Sequence, residues 1–521
     1  ANPTDAHPVT GAKLKQKMMK GIPSIVVDPR KIELAKYATY HLQLKPGTNV
    51  ALLNMMLFYI ITEGAEDKSF IENRTEGYED FKAQILKLNV DEMAIITGVD
   101  KNLVKEAALA YANSNAAMEF HGLGVTEHTQ GTFTVQLIAD LAMITGNIGK
   151  KGAGVNPLRG QNNVQGAADM GAQPHQGAGY FDVTDPVNHS KYNTFYGVKD
   201  VVPIHVGFKI PEMFDAAIAG DLKAMWIIGE DVVQTDPNTN KVIAAMENLE
   251  LLIVQELFMT ETAKHATVIL PGASFLEKEG TFTNSERRIQ RVNKVVEPIP
   301  GCKPDGQIII DIMNRMGYKQ DDYTATGMLK EISQIVPFFK GVTWETLGDN
   351  GKQWPVLEDG TDTQMLHIEE FKRGKGKFHY FDYKKSNEVE RYEKDFPYII
   401  TTNRELEHYN CGAMTRRTGN VDILTEDVLL IHPDDARKEN IVDGDFVCVE
   451  SPRGKVDIRA AITDEMKPGI LSSTFHFPEI MLNIITSDEH CTEAMCPEYK
   501  VVSCRIRKSK GKAKQIAEAI V

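Results

Sequence analysis

The chain has 521 residues, 42% of them apolar and 25% charged, the balance of a globular protein of three or four domains able to bury a large core. Its formal net charge of -14 argues against nucleic acid or an anionic membrane as the main partner. The longest apolar stretch, Val50 to Ile61, is interrupted by Asn54 and falls short of the about 20 residues that a spanning helix needs, so it predicts a buried helix and no transmembrane segment.

The chain begins Ala1-Asn-Pro-Thr-Asp5, without an initiator methionine or a signal peptide, and reads as starting inside a domain. Pro23 to Asp28 is a short β-branched run ending in an acid, followed by Pro29-Arg30 and by helical spacing over Lys31 to Tyr37. The same grammar of strand, glycine or acid, then helix recurs. Ala117 to His121 runs into Gly122-Leu-Gly124, Ala224 to Ile228 into Gly229-Glu230-Asp231, and Leu251 to Gln255 into Glu256; Ala266 to Leu270 adds another buried strand. Strands alternating with helices predict parallel α/β sheets. In such sheets ligands sit at the carboxyl ends of strands, where an acid accepts from a ribose hydroxyl or a purine amino group. Glycine and aspartate also end strands merely as turn formers, so it is the repetition that points to one or two nucleotide-like ligands.

Between those strands lies Asn156-Pro-Leu-Arg-Gly-Gln-Asn-Asn-Val-Gln-Gly-Ala-Ala-Asp-Met-Gly171, a composition foreign to a core segment. Gly160, Gly166 and Gly171 permit sharp turns or close approach. Arg159, Gln161, Asn162, Asn163 and Gln165 supply donors for an anion and a polar cofactor. Leu357 to Phe396 is polar and turn-rich and reads as a connection. Beyond it, Tyr398 to Thr402, Phe446 to Glu450, Val456 to Ala460 and Ile470 to Phe475 are short strand candidates separated by turn signals, which predicts a small C-terminal β-barrel. The six cysteines, at 302, 411, 448, 491, 496 and 504, contain no CxxC pair and no spacing for zinc or an iron–sulfur cluster, so reduced, packed thiols and no metal ligands are expected. The basic stretch from Arg505 to Lys514 reads as a solvated terminal extension.

The Arg159 segment resembles a signature of the catalytic subunits of molybdenum- or tungsten-dependent formate dehydrogenases. The likeness to that branch of the bis-molybdopterin guanine dinucleotide oxidoreductases runs along the chain, through Val26 to Arg30, Leu141 to Asn147, Gly229 to Asp231, Glu279 to Phe282 and Pro497 to Lys500. It implies two pseudo-symmetric dinucleotide-binding α/β domains and a closing barrel: residues 1–161, 162–303, a connection over 304–395, and the barrel over 396–521. It implies that Asn2, Asp5, Asp28, Arg30, Gly47 and Asn49 serve one dinucleotide limb, and Glu230, Gln255, Glu256 and Asp305 the other, with Gly124 also at the cofactor. Gln161 would contact the pterin, and Arg404, Glu405, His408, Asn483, Tyr499 and Lys500 would reach pterins and diphosphates. For His408 and Tyr499 the plainer alternative is internal packing. Arg159 is the catalytic candidate, because its planar fork matches the carboxylate of formate bidentately.

The resemblance further implies an N-terminal [4Fe-4S] domain, a lysine between cluster and pterin, and a selenocysteine or cysteine metal ligand, none of which has a counterpart here. A C-terminal portion of a longer subunit, inactive alone, is therefore expected. Glu127 stands where some relatives carry an amide. The implied partners are formate or carbon dioxide and iron–sulfur electron-transfer subunits, with hydrogenase, diaphorase or ferredoxin partners and a cytoplasmic setting. The alternatives are a nitrate reductase-like enzyme, or a cofactor-free electron-wire subunit like the large iron–sulfur subunit of respiratory complex I.

Overall fold

The computed structural model describes residues 2–509; of the basic stretch expected at the C-terminus, 510–514 lie outside the described residues. The chain divides into two compact units. One holds the described residues of Ala1–Leu158, Gln234–Asn240 and His367–Val521, and the other holds Arg159–Val233 and Lys241–Leu366.

In the first unit the strand Ile25–Val27 pairs in parallel with Tyr40–Leu42, and Met118–His121 pairs in parallel with Gly154–Pro157. The apolar stretch forms the helix Asn49–Thr62. It packs against the helices Lys101–Ala112 and Gly131–Ile144, with Leu52, Met55, Leu57 and Ile60 fully buried, each such side chain contributing about 1.5–3 kcal/mol. Even its Asn54 is buried, donating through Nδ2 to the Phe381 carbonyl at 2.9 Å. The helix expected over Lys31 to Tyr37 is only a 3-10 turn, Glu33–Lys36. Arg30 N–H donates to the Asp28 carboxylate at 2.9 Å and Lys31 N–H to the Glu465 carbonyl at 2.9 Å; beyond them Ala35 N–H closes on the Ile32 carbonyl at 2.9 Å and Tyr37 N–H on that of Leu34 at 3.1 Å, the tighter 3-10 spacing used in short pieces.

The expected barrel is present. Among the described residues six strands close it in the order Tyr398–Thr402, Ile470–Ser473, Val428–Ile431, Lys455–Ile462, Phe446–Glu450 and Val502–Lys508. Its interior is filled by Ile400, Leu429, Ile431, Val447, Ile458 and Leu471. Two of these strands, Val428–Ile431 and Val502–Lys508, were not among the four expected from sequence. The latter buries Val502, Ser503, Cys504 and Ile506 while Arg505 and Arg507 point outward, so its charges disguise it as tail.

The second unit contains a three-stranded parallel sheet in the order Val268–Pro271, Leu251–Glu256, Ala224–Ile228. The runs expected at Ala224–Ile228 and Leu251–Gln255 appear with the expected ends to within one residue, and the third starts two residues later and ends one residue later than expected. Beside this sheet the antiparallel strands Gly280–Thr283 and Arg288–Val292 are extended by Lys352–Gln353. All six cysteines are free thiols, four of them buried.

Candidate functional site

Arg159 opens the second unit, two residues after the end of the strand Gly154–Pro157. Its backbone N–H donates to Ser285 Oγ at 3.0 Å, and its Nε donates to Gln165 Oε1 at 3.2 Å. Gln165 and Asp169 lie one turn apart on the helix Val164–Asp169. Gln165 Nε2 donates to Asp169 Oδ1 and to Tyr180 Oη, each at 2.9 Å. Tyr180 Oη donates to the same Oδ1 at 2.6 Å, and Trp354 Nε1 donates to Oδ2 at 2.9 Å. Asp169 is fully buried and Gln165 nearly so; burial pushes the Asp169 carboxyl above its usual range, and the three donors and Arg159 pull it back.

The amides of this segment are not all available to a ligand. Asn163 adopts φ 59° ahead of the helix, and its Oδ1 accepts from Thr283 N–H at 2.9 Å. A Cβ on Gly166 would lie 2.1 Å from that oxygen, so any larger residue there must displace the Asn163 side chain. Gly171 has φ +81° and would place a Cβ 2.4 Å from the Gly177 carbonyl carbon, whereas a Cβ on Gly160 would meet nothing within 4 Å. Asn163 and Gln165 thus frame the segment, and Arg159, Gln161 and Asn162 are its exposed polar members.

Along the parallel sheet of the same unit, Gln255 and Glu256 end the central strand and Gly229-Glu230 follows its neighbour. Gly229 has φ +63°, and no protein atom lies within 4 Å of where its Cβ would be. Gln255 Nε2 donates to Asp305 Oδ1 at 2.7 Å, and Asp305 also pairs with Lys278. The buried Gln255 Oε1 has no partner among the described residues. Burial, and then the neighbouring carboxylates of Asp231, Glu230 and Asp305, raise the Glu256 pKa. Asp231, which the sequence reading did not select, is buried and tied to the N–H and hydroxyl of Thr262 at 2.8 and 2.6 Å. The group is rich in acceptors, and it fits the donor edge of a guanine or the hydroxyls of a ribose.

In the first unit, Arg30 is 8% exposed and lies between Asp5 Oδ2 at 3.1 Å and Glu405 Oε1 at 3.2 Å. Asn2 Nδ2 bonds Asp5, and Asn403 Nδ2 shares Glu405 Oε1 at 3.0 Å. Asn2, Asp5, Asp28, Arg30 and Glu405 are thereby brought together. A second group joins Gly47 (φ +83°), Asn49 and Gly124: Asn49 Nδ2 donates to the Gly124 carbonyl at 3.2 Å, and a Cβ on Gly47 would press on Val501 Cγ2 at 3.2 Å. Lys500 Nζ meets Glu127 Oε2 at 2.9 Å and the carbonyl and hydroxyl of Thr402, both at 3.0 Å, so its three protons are matched by protein oxygens.

Three barrel candidates face inward. His408 spends Nδ1 on Thr415 Oγ1 at 3.1 Å and Nε2 on the Leu424 carbonyl at 2.9 Å. Asn483 Nδ2 donates to the carbonyls of Gln234 and Thr235 at 2.8 and 3.0 Å, and Tyr499 Oη donates to the Thr235 carbonyl at 2.9 Å. These contacts hold segment 234–240 to the barrel and leave neither ring nitrogen of His408, and neither amide proton of Asn483, for a ligand. Arg404 is different. Its guanidinium stacks 5.5 Å from the Tyr409 ring, has no hydrogen-bond or carboxylate partner among the described residues, and burial lowers its pKa. A half-buried cation whose nearest opposing charge, Glu127, acts on it without a direct ion pair fits a diphosphate. Among the described residues there is no cluster of three histidine, cysteine or carboxylate side chains able to hold a metal.

Comparison with known proteins agrees with this arrangement. The molybdopterin oxidoreductase family profile matches residues 1–315, and that of the molydopterin dinucleotide binding domain matches residues 398–503. The F420-dependent formate dehydrogenase subunit alpha of Methanocaldococcus jannaschii is 41% identical over 98% of this chain and 75% of its own length. Formate dehydrogenase H of Escherichia coli is 38% identical over 97% of this chain and 71% of its own. Acetylene hydratase from Pelobacter acetylenicus shares the fold, with a TM-score of 0.72 at 19% identity over 96% of this chain and 75% of that one.

Proposed function

We propose, since this chain belongs to the molybdopterin oxidoreductase family, that it forms the substrate- and cofactor-binding part of a formate dehydrogenase, converting formate to carbon dioxide, one proton and two electrons, or the reverse. The observation that carries this reading is Arg159, held at Nε by the neutral amide of Gln165 in a chain 38–41% identical to two formate dehydrogenase catalytic subunits. A guanidinium meeting the two oxygens of formate side by side fixes the carboxylate plane and turns the C–H bond directly away from the arginine. Carbon dioxide is linear and uncharged and loses both charge-assisted bonds, so the same fork that holds formate lets the oxidised product leave.

The family implies molybdopterin guanine dinucleotide, which on this reading carries molybdenum or tungsten and accepts the electron pair from formate. The residues that fit it are Arg404, which donates no hydrogen bond to the described residues, for a diphosphate, and Gln255, Glu256 and Glu230 for a guanine or ribose. Asp5, Asp28 and Arg30, with Gly47, Asn49 and Gly124, serve the other limb. Iron–sulfur subunits would be the electron-accepting partners on this reading. No helix of the described residues is long and apolar enough to cross a membrane.

The test is formate-dependent viologen reduction by the natively purified complex under anoxic conditions, with nitrate as the competing substrate and with an Arg159→Ala variant. Two charge-assisted hydrogen bonds at about 1.5–3 kcal/mol each set the expected loss in kcat/KM at roughly 10²–10⁴-fold, with metal and pterin retained. Turnover of nitrate and none of formate by the loaded enzyme would overturn the reading.

A further inference from the structure

Arg159 is one flexible side chain, and a fork that must present two protons in a fixed plane loses much of its value if it can rotate. What fixes it is an amide whose direction is itself fixed. Gln165 can face Arg159 with either its oxygen or its nitrogen, and only the oxygen accepts the Nε proton. The choice is made behind it. Asp169 Oδ1 is an acceptor alone and takes one Nε2 proton, while Tyr180, whose own hydroxyl proton goes to the same Oδ1, takes the other. Asp169 is in turn anchored at Oδ2 by Trp354 Nε1. With both amide protons consumed on the inner side, Oε1 can only point at Arg159. Tyr180 is kept in place although it occupies a left-handed backbone conformation, φ 59°, which costs a non-glycine residue about 1–3 kcal/mol. Its ring stacks on Phe338 at 5.9 Å, and Phe338 packs on Trp354 at 4.7 Å.

We propose that the Gln165–Asp169–Tyr180–Trp354 network is a polarity lock that sets the orientation of the Arg159 fork, with Gln165 and Asp169 as positioning residues for the carboxylate substrate. The inference rests on the formate reading of Arg159 given above. Burial of the network is part of the argument, because Asp169 is wholly withdrawn from water and an unsatisfied donor in that position has no solvent to turn to.

The lock makes a prediction that simple packing does not. In Asp169→Asn the new carboxamide must keep its oxygen toward Trp354, so its nitrogen faces Gln165. Gln165 then turns its own oxygen inward, and its nitrogen confronts Arg159 Nε, donor against donor. Adding Gln165→Glu reverses the polarity of the pair: the carboxylate now at position 165 accepts from the amide at position 169 on one oxygen and from Arg159 on the other. Gln165→Leu removes the acceptor that faces Arg159 and one of the donors to Asp169 Oδ1, while Tyr180 and Trp354 still hold that carboxylate.

The test uses the cofactor-loaded complex and the same protein freed of cofactor. Nitrate, a planar anion with two oxygens at the bite of a carboxylate, is titrated calorimetrically, and KM and kcat for formate are measured in parallel. Thermal unfolding is followed by tryptophan fluorescence, since Trp226, Trp344 and Trp354 all lie in this unit. Loss of one charge-assisted bond predicts nitrate affinity reduced about tenfold or more in Gln165→Leu and Asp169→Asn, with formate KM rising in step. The double variant should regain most of the affinity lost in Asp169→Asn. Nitrate affinity within about twofold of wild type in Gln165→Leu, or a double variant no better than Asp169→Asn, overturns the lock. If Asp169→Asn does not fold, Gln165→Leu decides alone. Arg159→Ala separates the two readings: indifference of formate turnover to that variant refutes the substrate clamp itself, whereas its loss alongside unchanged Gln165→Leu refutes only the lock.

Discussion

Asp5 is a carboxylate whose charge the first unit tolerates poorly, and replacing it by asparagine should stabilise the cofactor-free protein. Arg30 lies 3.1 Å away, which by itself would favour the ionised acid. Yet burial outweighs that attraction, Glu405 adds repulsion, and the Asp5 pKa rises from 3.8 to about 6. The physical reason is that Arg30 is shared among Asp5, Asp28 and Glu405, so its charge compensates no single carboxylate in full. About two pK units correspond to ~3 kcal/mol at 1.36 kcal/mol each, trimmed to ~2–3 because the Asp5 side chain keeps some contact with water. The sign follows from linkage. A folded-state pKa above the unfolded one means that the folded protein holds its proton longer, so the cost is fully present above about pH 6, shrinks as pH falls, and vanishes below the unfolded value. Asp5→Asn should therefore gain ~2–3 kcal/mol at pH 8 and about half of that at pH 5. Urea unfolding of the cofactor-free subunit would be followed by tyrosine near-ultraviolet circular dichroism, because the three tryptophans report on the other unit. An equal or lower stability at pH 8, or a gain that ignores pH, would refute the reasoning. The same variant should hold the dinucleotide less firmly, since a poorly paired carboxylate is what a ligand's donors satisfy.

Arg453 pairs bidentately with the buried Glu388, at 2.6 and 3.0 Å, and Glu388 also accepts from Ser503 N–H at 3.1 Å. Arg453→Met should cost about 3–5 kcal/mol by stranding that carboxylate, and adding Glu388→Gln should recover part of the loss; additive losses in urea titrations would contradict this. Gly166→Ala should destabilise by about 1–3 kcal/mol through the 2.1 Å approach to Asn163 Oδ1, against the ~1 kcal/mol that helix propensity alone would return. A raised midpoint of tryptophan-monitored unfolding would show that Asn163 yields freely.

The parallel strands at Ala224–Ile228 and Leu251–Glu256 were legible because both are short apolar, β-branched runs ended by glycine or acid, and the barrel was legible wherever turn signals bracketed such runs. What escaped was encoded in long-range partners. Val502–Lys508 is a barrel strand because its alternate residues meet the barrel interior, and no local count distinguishes that from a basic tail. Lys31 to Tyr37 has helical spacing, but it closes only a 3-10 turn, and its first amide is held by the carbonyl of Glu465, more than four hundred residues away in sequence. The same limit applies inside the signature segment. Letter by letter, Asn163 and Gln165 look as capable of binding a ligand as Gln161, and His408 as capable as Arg404. Only the fold reveals which polar groups are already spent, on Thr283 N–H, on Asp169, on Thr415 and Leu424. An active-site motif therefore mixes two kinds of residue, those that present charge and those that aim it. In this chain the amide-rich run around Arg159 is mostly of the second kind, which is why substitutions at Gln165 and Asp169 are expected to register in substrate affinity although Asp169 is sealed from solvent.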